Sequence, residues 1–335
     1  MDRPLVAVVL AGGVGSRLYP ASRRHRPKQL LSLGGTETLL ERTVDRVDFA
    51  DEVVVSTRPD FADSVRDAVP EATVLVEPAG KDTGPALAYA THYAADTVDD
   101  PVVLALPSDH HVVGEFEAAA RRGARVASDT DALVTFGVEP TRPDTGYGYI
   151  EPGANHGDYA EVTTFHEKPD AETAKRYVEA GHYWNAGIFA WTPTAFRRAA
   201  RDTPLGPMLQ TLDAGDPDAA FDAVDPVSVD HAVFERADDV VTVPLDIEWD
   251  DIGTWDALRR ILPTDEDGTV VAGDAEVTSL DARDNVVAGD GVHVSLVGVD
   301  GLAVVAWDDR VLVVPTEDAQ RVKELVTELE RRGED

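Results

Sequence analysis

Close to the amino terminus, three glycines, an arginine and a lysine have the spacing of an anion site. Gly12, Gly13 and Gly15 lie in Ala11-Gly12-Gly13-Val14-Gly15-Ser16-Arg17-Leu18, and Lys28 follows in Arg26-Pro27-Lys28-Gln29. The glycines come directly after the apolar run Leu5 to Leu10, which reads as a buried parallel strand. Glycines in that position let backbone N–H groups approach an anion with no Cβ in the way. The surrounding composition agrees. No acid occurs between Asp2 and Glu37, where average density would place about six. Arg3, Arg17, Arg23, Arg24, Arg26 and Lys28 fill the same window, so a strongly cationic stretch sits in a chain of net charge −33 and reads as a polyanion site. The stretch lacks the third glycine of the dinucleotide fingerprint and the Gly-Lys-Ser/Thr end of a P-loop, so NAD binding and P-loop hydrolysis fit poorly.

Carboxylates that could hold a hard cation come from elsewhere in the chain. Asp109 follows the apolar run Val102 to Leu106 through Pro107-Ser108, which places it where a strand ends. Asp251 lies in Glu248-Trp249-Asp250-Asp251-Ile252-Gly253-Thr254-Trp255, with Asp250 beside it as an alternative. Among 41 aspartates, either one alone reads as a surface acid or turn former. The chain has no cysteine, which excludes disulfides, thiolate zinc sites and a cysteine nucleophile. His110, His111 and His166 lack a suitable ligand set among their neighbours and read as satisfied polar histidines.

The elements that must position these residues alternate. Strands are expected at 52–56, 73–76, 102–106 and 133–137, with helices at 61–69, 83–95 and 118–127. Alternation of this kind argues for a mostly parallel sheet wrapped by helices. After Pro263 the texture changes to short strands with Gly and Asp turns, then an amphipathic helix from Glu317 to Arg331. The expected division is 1–262 and 263–335, with no internal repeat and with the tail packed against the main domain. No apolar run is long enough to cross a membrane and no secretory signal pattern opens the chain, so a cytoplasmic protein is expected. Acids are spread along the whole length. Their self-repulsion would ease at molar salt, where the Debye length is about 3 Å, which points to a salt-rich cytoplasm as in halophilic archaea. Duplex nucleic acid and anionic membranes, which need a basic face, are excluded as partners.

With its continuation to Pro27-Lys28-Gln29, the glycine-rich segment resembles the signature of the sugar-nucleotide pyrophosphorylases, and among them the mannose-1-phosphate guanylyltransferases. Further segments resemble the same family: Glu77-Pro78-Ala79-Gly80-Lys81-Asp82-Thr83-Gly84-Pro85, Pro107-Ser108-Asp109-His110, Asp144-Thr145-Gly146-Tyr147-Gly148-Tyr149, Phe165-His166-Glu167-Lys168-Pro169, Trp184-Asn185-Ala186-Gly187, Ser228-Val229-Asp230-His231 and the Trp249–Trp255 stretch. The family usually has Asn and Ala where this chain has Asp82 and Gly84.

The resemblance implies an α/β fold: a Rossmann-like nucleotidyltransferase domain with a mostly parallel sheet, plus a small β-rich C-terminal region ending in a helix. It implies that Ala11, Gly12, Gly13, Gly15, Glu77, Thr83, Pro85 and Ser108 bind the nucleotide, with Glu77 accepting from the guanine edge. Thr83 reads equally as a helix cap. Arg17, Lys28 and Lys168 would be catalytic, Lys168 holding the sugar phosphate. Gly146, Glu167, Asn185 and Asp230 would meet mannose hydroxyls, although Asn185 also reads as a turn and Asp230 as a helix N-cap. Asp109 and Asp251 would hold Mg²⁺. The expected reaction is transfer of GMP from GTP to mannose 1-phosphate. The alternatives are glucose 1-phosphate with dTTP or UTP, or a non-catalytic sugar-nucleotide-binding regulator. A homodimer is left open.

Overall fold

The computed structural model describes residues 3–334; positions 1, 2 and 335 lie outside the described residues. The first strand, β1 (Leu5–Leu10), is buried on both faces because its run of apolar side chains has no polar alternation. It pairs in parallel with β2 (Glu52–Thr57), beside which runs β3 (Thr73–Val76), and on its other side with β4 (Val102–Pro107). A short β5 (His111–Gly114) stands outside this sheet. Five more strands extend it: β6 (Leu133–Val138), β7 (Tyr149–Asn155), β8 (Ala160–His166), β9 (Tyr183–Trp191) and β10 (Val240–Leu245), in the order β3-β2-β1-β4-β9-β6-β10-β8-β7. Most strands run one way, as expected, but β9 is antiparallel to both β4 and β6, and β8 to both β10 and β7. The helix Thr83–Thr97 buries Leu87, Ala88 and Ala94 in the core that contains Val8, Val54 and Val103.

The chain divides into two compact units, and the division falls within the glycine-rich segment. One unit contains the sheet: the residues up to Gly12, Val44–Pro107 and Val112–Trp249. The other gathers Gly13–Thr43, Ser108–His111 and the chain from Asp250 onward.

A short β11 (Ile247–Asp250) spans the end of the first unit's last segment; in the second unit the strands β12 (Val270–Gly273), β13 (Glu276–Leu280), β14 (Val286–Gly289), β15 (His293–Val297), β16 (Leu302–Trp307) and β17 (Arg310–Pro315) form stacked rungs. β12, β14 and β16 pair in parallel, with Val270, Val286 and Ala303 in register; β13 pairs in parallel with β15, and β17 returns antiparallel to β16. The rungs rest on an internal repeat that the sequence reading missed: Val270-Val271-Ala272-Gly273-Asp274 recurs as Val286-Val287-Ala288-Gly289-Asp290. Period-two alternation sends Val270, Ala272, Val286 and Ala288 to one core, and Val287 with Leu296 and Ala282 to another. The first of these cores also takes Leu18, Tyr19, Leu31, Leu33 and Leu39, so the segment bearing Arg17 and Lys28 is packed against the rungs. A short 3₁₀ stretch from Thr316 and the helix Val322–Arg332 close the chain. Among the described residues no helix is long and apolar enough to cross a membrane.

Candidate active site

Lys28 is the centre of the chemistry in the second unit. It opens a one-turn helix, Lys28–Leu30, after Pro27, and is 5% exposed. Its Nζ lies 2.9 Å from Asp109 Oδ2 and donates to the main-chain carbonyl of Asp251, so one ammonium is in reach of both segments. Burial raises the Asp109 carboxyl, but the Lys28 ammonium with His110 outweighs it and leaves the group below its ordinary value. Gly15 makes room for the lysine. It has φ of 76°, and a Cβ there would stand 2.4 Å from Lys28 Cβ. Ser108 is buried, and its carbonyl accepts from Thr43 Oγ1 at 3.2 Å. Asp251 Oδ1 accepts from Gly253 N at 3.0 Å.

The structure separates the two neighbouring aspartates. Asp250 is 3% exposed and both its oxygens are engaged by Arg260, at 2.6 and 3.0 Å. Metal binding through Asp250 would have to break this bidentate pair, which Arg260 makes alongside a second contact to Asp256 at 3.1 Å. Arg260 was not legible as its partner; nothing marks it among the 25 arginines.

The cationic window is corrected in part. Arg26 Nη2 lies 3.0 Å from Asp308 and Arg23 Nη2 3.4 Å from Asp309. Arg24 reaches Glu330 at 3.7 Å and Arg3 reaches Asp100 at 3.0 Å. With Lys28 held by Asp109, five of the six bases are thus paired with acids from other parts of the chain. Arg17, in the turn Ser16–Leu18, makes no ion pair among the described residues.

In the sheet unit, Ala11 N donates to Ser56 O at 2.8 Å and its carbonyl accepts from Thr57 Oγ1 at 2.9 Å, which fixes the end of β1. Glu77 is 4% exposed and accepts from Ser56 Oγ at 2.9 Å. Burial pushes its carboxyl up to about 6, against the smaller pull of Ser56 and Arg58. A Cβ on Gly12 would lie 3.6 Å from Glu77 Oε1 and 3.7 Å from the Arg58 side chain. Arg58 was missed by sequence reasoning. Its guanidinium stacks 4.7 Å over Phe61, and its buried Nε has no hydrogen-bond partner among the described residues.

Thr83 is not the cap of its helix. Asp82, at φ of 71°, caps it by accepting from Thr83 N, while Thr83 Oγ1 accepts from Val229 N at 2.9 Å. Pro85 is buried in the first turn of that helix, where a missing N–H is tolerated. Lys81 Nζ donates to the carbonyls of Phe221 and Val224 at 2.8 and 2.9 Å, a structural use of one of the few lysines.

The carbohydrate-type groups converge on β9. Asn185 Nδ2 donates to Asp230 Oδ1 at 2.7 Å, and Asn185 Oδ1 accepts from Thr135 Oγ1 at 3.2 Å and Gly187 N at 3.1 Å. Asn185 is therefore more than a turn former, and its amide retains a single N–H. Asp230 is not an N-cap; it begins the turn Asp230–Phe234, and burial raises its carboxyl above the ordinary range. A Cβ on Gly148 would lie 3.2 Å from Glu167 Oε2 and 3.7 Å from Asn185 Cβ, which identifies Gly148 as a close-approach position not singled out beforehand. Gly146 N donates to Asp144 Oδ1 at 2.8 Å. Glu167 and Lys168 pair at 2.7 Å, both more than half exposed, with Lys168 at φ of 35°.

Each unit thus supplies one kind of chemistry. Lys28 is brought to Asp109 and the Asp251 main chain, an ammonium beside oxygen donors of the kind a phosphate and a hard cation require, whereas no ion pair or hydrogen bond joins the Arg17 side chain to them among the described residues. Asn185, Asp230, Glu167 and Lys168 can bind a hydroxyl-rich anion.

Comparison with known proteins adds the following. A family model described as nucleotidyl transferase matches residues 6–268, and one described as a MannoseP isomerase/GMP-like beta-helix domain matches residues 275–329. The xanthan biosynthesis protein XanB of Xanthomonas campestris pv. campestris (strain B100) is 36% identical over 350 residues, covering 98% of this chain and 74% of that protein. The mannose-1-phosphate guanylyltransferase ManC of Salmonella typhimurium is 37% identical over 358 residues, with the same coverage of 98% and 74%. A crystal structure from Thermus thermophilus, described as a mannose-1-phosphate geranyltransferase, matches with a TM-score of 0.90 at 35% identity and covers 98% of this chain and 99% of that one.

Proposed function

Since the chain belongs to the nucleotidyl transferase family, we propose that it transfers GMP from GTP to α-D-mannose 1-phosphate, giving GDP-mannose and pyrophosphate. The single observation that carries this reading is the buried Lys28 ammonium held against Asp109 and the Asp251 main chain beside a glycine-rich loop. Guanylyltransferases that act on mannose 1-phosphate are among the relatives at 36% and 37% identity.

In the proposed reaction a phosphate oxygen of mannose 1-phosphate attacks the α-phosphorus of GTP in line. The new oxygen–phosphorus bond forms as the bond to the β-phosphate bridge breaks, and pyrophosphate leaves with that electron pair. The attacking oxygen is already anionic, so no general base and no covalent enzyme intermediate are needed. The protein's task is to bring two anions together and offset their repulsion. Arg17 and Lys28 would neutralise the triphosphate, with the N–H groups of Gly12, Gly13 and Gly15 around it. Lys168 would hold the sugar phosphate, and Glu77 would accept from the guanine edge. The remaining N–H of Asn185, with Glu167 and Asp230, would orient the mannose hydroxyls. Asp109 and Asp251 offer oxygen donors only, which suits Mg²⁺ completed by phosphate oxygens and water. When bound, that ion supplies positive charge to the phosphate oxygens.

We assign the transfer to residues 1–262 and a buttressing role to 263–335, in a cytoplasmic and salt-rich setting. The test is pyrophosphate release from a panel of nucleoside triphosphates and sugar 1-phosphates in concentrated potassium chloride. Release that needs both GTP and mannose 1-phosphate supports the proposal. Equal release with glucose 1-phosphate and dTTP or UTP, or binding of GDP-mannose without turnover, overturns it.

A further inference from the structure

We propose that Glu151, His166 and His182 form a site for a divalent transition-metal ion of the zinc type, separate from the Asp109 and Asp251 carboxylates. The proposal does not depend on the reaction assigned above.

Strand register puts the three side chains together. On one flank of β7, Tyr149 pairs with His166 of β8; on the other, Ile150 pairs with Tyr183 of β9. Continued by one residue, the second register would set Glu151 opposite His182, just before β9 begins. Side chains two apart on a strand share a face, and cross-strand partners share it too. Glu151 on β7, His166 at the end of β8 and His182 immediately before β9 therefore fall on one face of the sheet.

The side chains meet there. One ligand atom from each lies within 4.8 Å of the others. His166 Nε2 and Glu151 Oε2 are 3.5 Å apart, with no hydrogen bond to satisfy the imidazole nitrogen. His182 is 8% exposed, and its Nδ1 is buried with no hydrogen-bond partner among the described residues. Buried polar atoms are rarely left unmade, so two orphaned ring nitrogens in one cluster call for a partner. A metal held at about 2.0–2.1 Å by nitrogen and carboxylate oxygen sets neighbouring ligand atoms roughly 3.3 Å apart. The 3.5 Å contact is close to this spacing, and side-chain movement of up to about 1.5 Å would bring in the third group. Tyr177 packs nearly parallel to both imidazoles, with ring centroids 4.4 Å from His166 and 4.6 Å from His182, which fixes their planes.

The donor set selects the ion. Two imidazoles and a carboxylate favour Zn²⁺, Co²⁺ or Ni²⁺ over Mg²⁺, whose preference is for oxygen alone. Three protein ligands leave a position for water, and the Glu151 side chain is 40% exposed, so an ion can enter. Once bound, it would tie β7, β8 and β9 together beside Glu167, Lys168 and Asn185.

The test uses the full chain, stripped with chelator and titrated with Co²⁺ in concentrated potassium chloride, which suppresses diffuse binding to so acidic a surface. The expected result is a visible cobalt spectrum saturating at one ion per chain, displaced by Zn²⁺ and not by Mg²⁺, with a rise in melting temperature. His182→Gln and the isosteric Glu151→Gln should each weaken cobalt binding at least about 100-fold. Asp109→Asn should leave the cobalt spectrum intact. Absence of a saturable spectrum, or binding that survives in a folded Glu151→Gln and His182→Gln pair, overturns the proposal. So does binding that is lost in Asp109→Asn.

Discussion

Replacing Gly15 by alanine should disable the protein through Lys28, a residue 13 positions away in the sequence. Two penalties act together. Gly15 has φ of 76°, and a non-glycine residue in left-handed backbone costs about 1–2 kcal/mol. The added Cβ would stand 2.4 Å from Lys28 Cβ, whereas ordinary contact begins at 3.4 Å, so the lysine stem must retreat by about 1 Å. Lys28 is buried and its ammonium is held at 2.9 Å from Asp109, so that retreat carries the charge away from the position proposed for the triphosphate. A displacement of this size costs roughly 100-fold in rate. Gly13 provides the contrast, because a Cβ there meets nothing within 4 Å. Gly13→Ala should keep wild-type stability and show its effect as a raised KM for GTP. Thermal melting with steady-state pyrophosphate release separates the cases. A Gly15→Ala variant with wild-type stability and turnover would refute the packing logic.

Other expectations bear on separate parts of the molecule. The Glu77 carboxyl, raised to about 6 by burial, must be ionised to accept from guanine, so KM for GTP should rise as pH falls through about 6. The same raised value makes the fold lose stability as pH climbs from 4.5 towards about 6; Glu77→Gln should flatten both profiles, measured by kinetics and by melting. Asp250→Asn should lower stability by roughly 1–2 kcal/mol by weakening the bidentate contact to a part-exposed Arg260 that keeps Asp256, as read by chemical denaturation. Asp251→Asn should instead lower turnover with little change in denaturation midpoint. Melting temperature should rise with potassium chloride concentration if the net charge of −33 reflects a salt-rich setting; a flat response would remove that reading.

The sequence carried the glycine-rich loop, Lys28, Asp109 and Asp251 because each lies in a short local motif at a strand end or turn. The cationic window was overread for the complementary reason: Asp308, Asp309 and Glu330, which pair with its arginines, lie some 280 to 310 positions away, and linear spacing cannot show such pairing. The rungs of the second unit were legible, since Val-Val-Ala-Gly-Asp recurs after 16 residues, but a repeat that short is easily lost among many Gly-Asp turns. The reversed direction of β9 and the meeting of Glu151, His166 and His182 depend on strand register, which alternation of apolar residues does not specify.

The most direct measurement is the single-turnover rate of Lys28→Ala and Asp109→Ala with GTP and mannose 1-phosphate, on variants shown to be folded by melting. The account predicts that each loses several powers of ten in turnover, about 4 kcal/mol or more of transition-state stabilisation. Rates near that of the unaltered chain in both variants would contradict it.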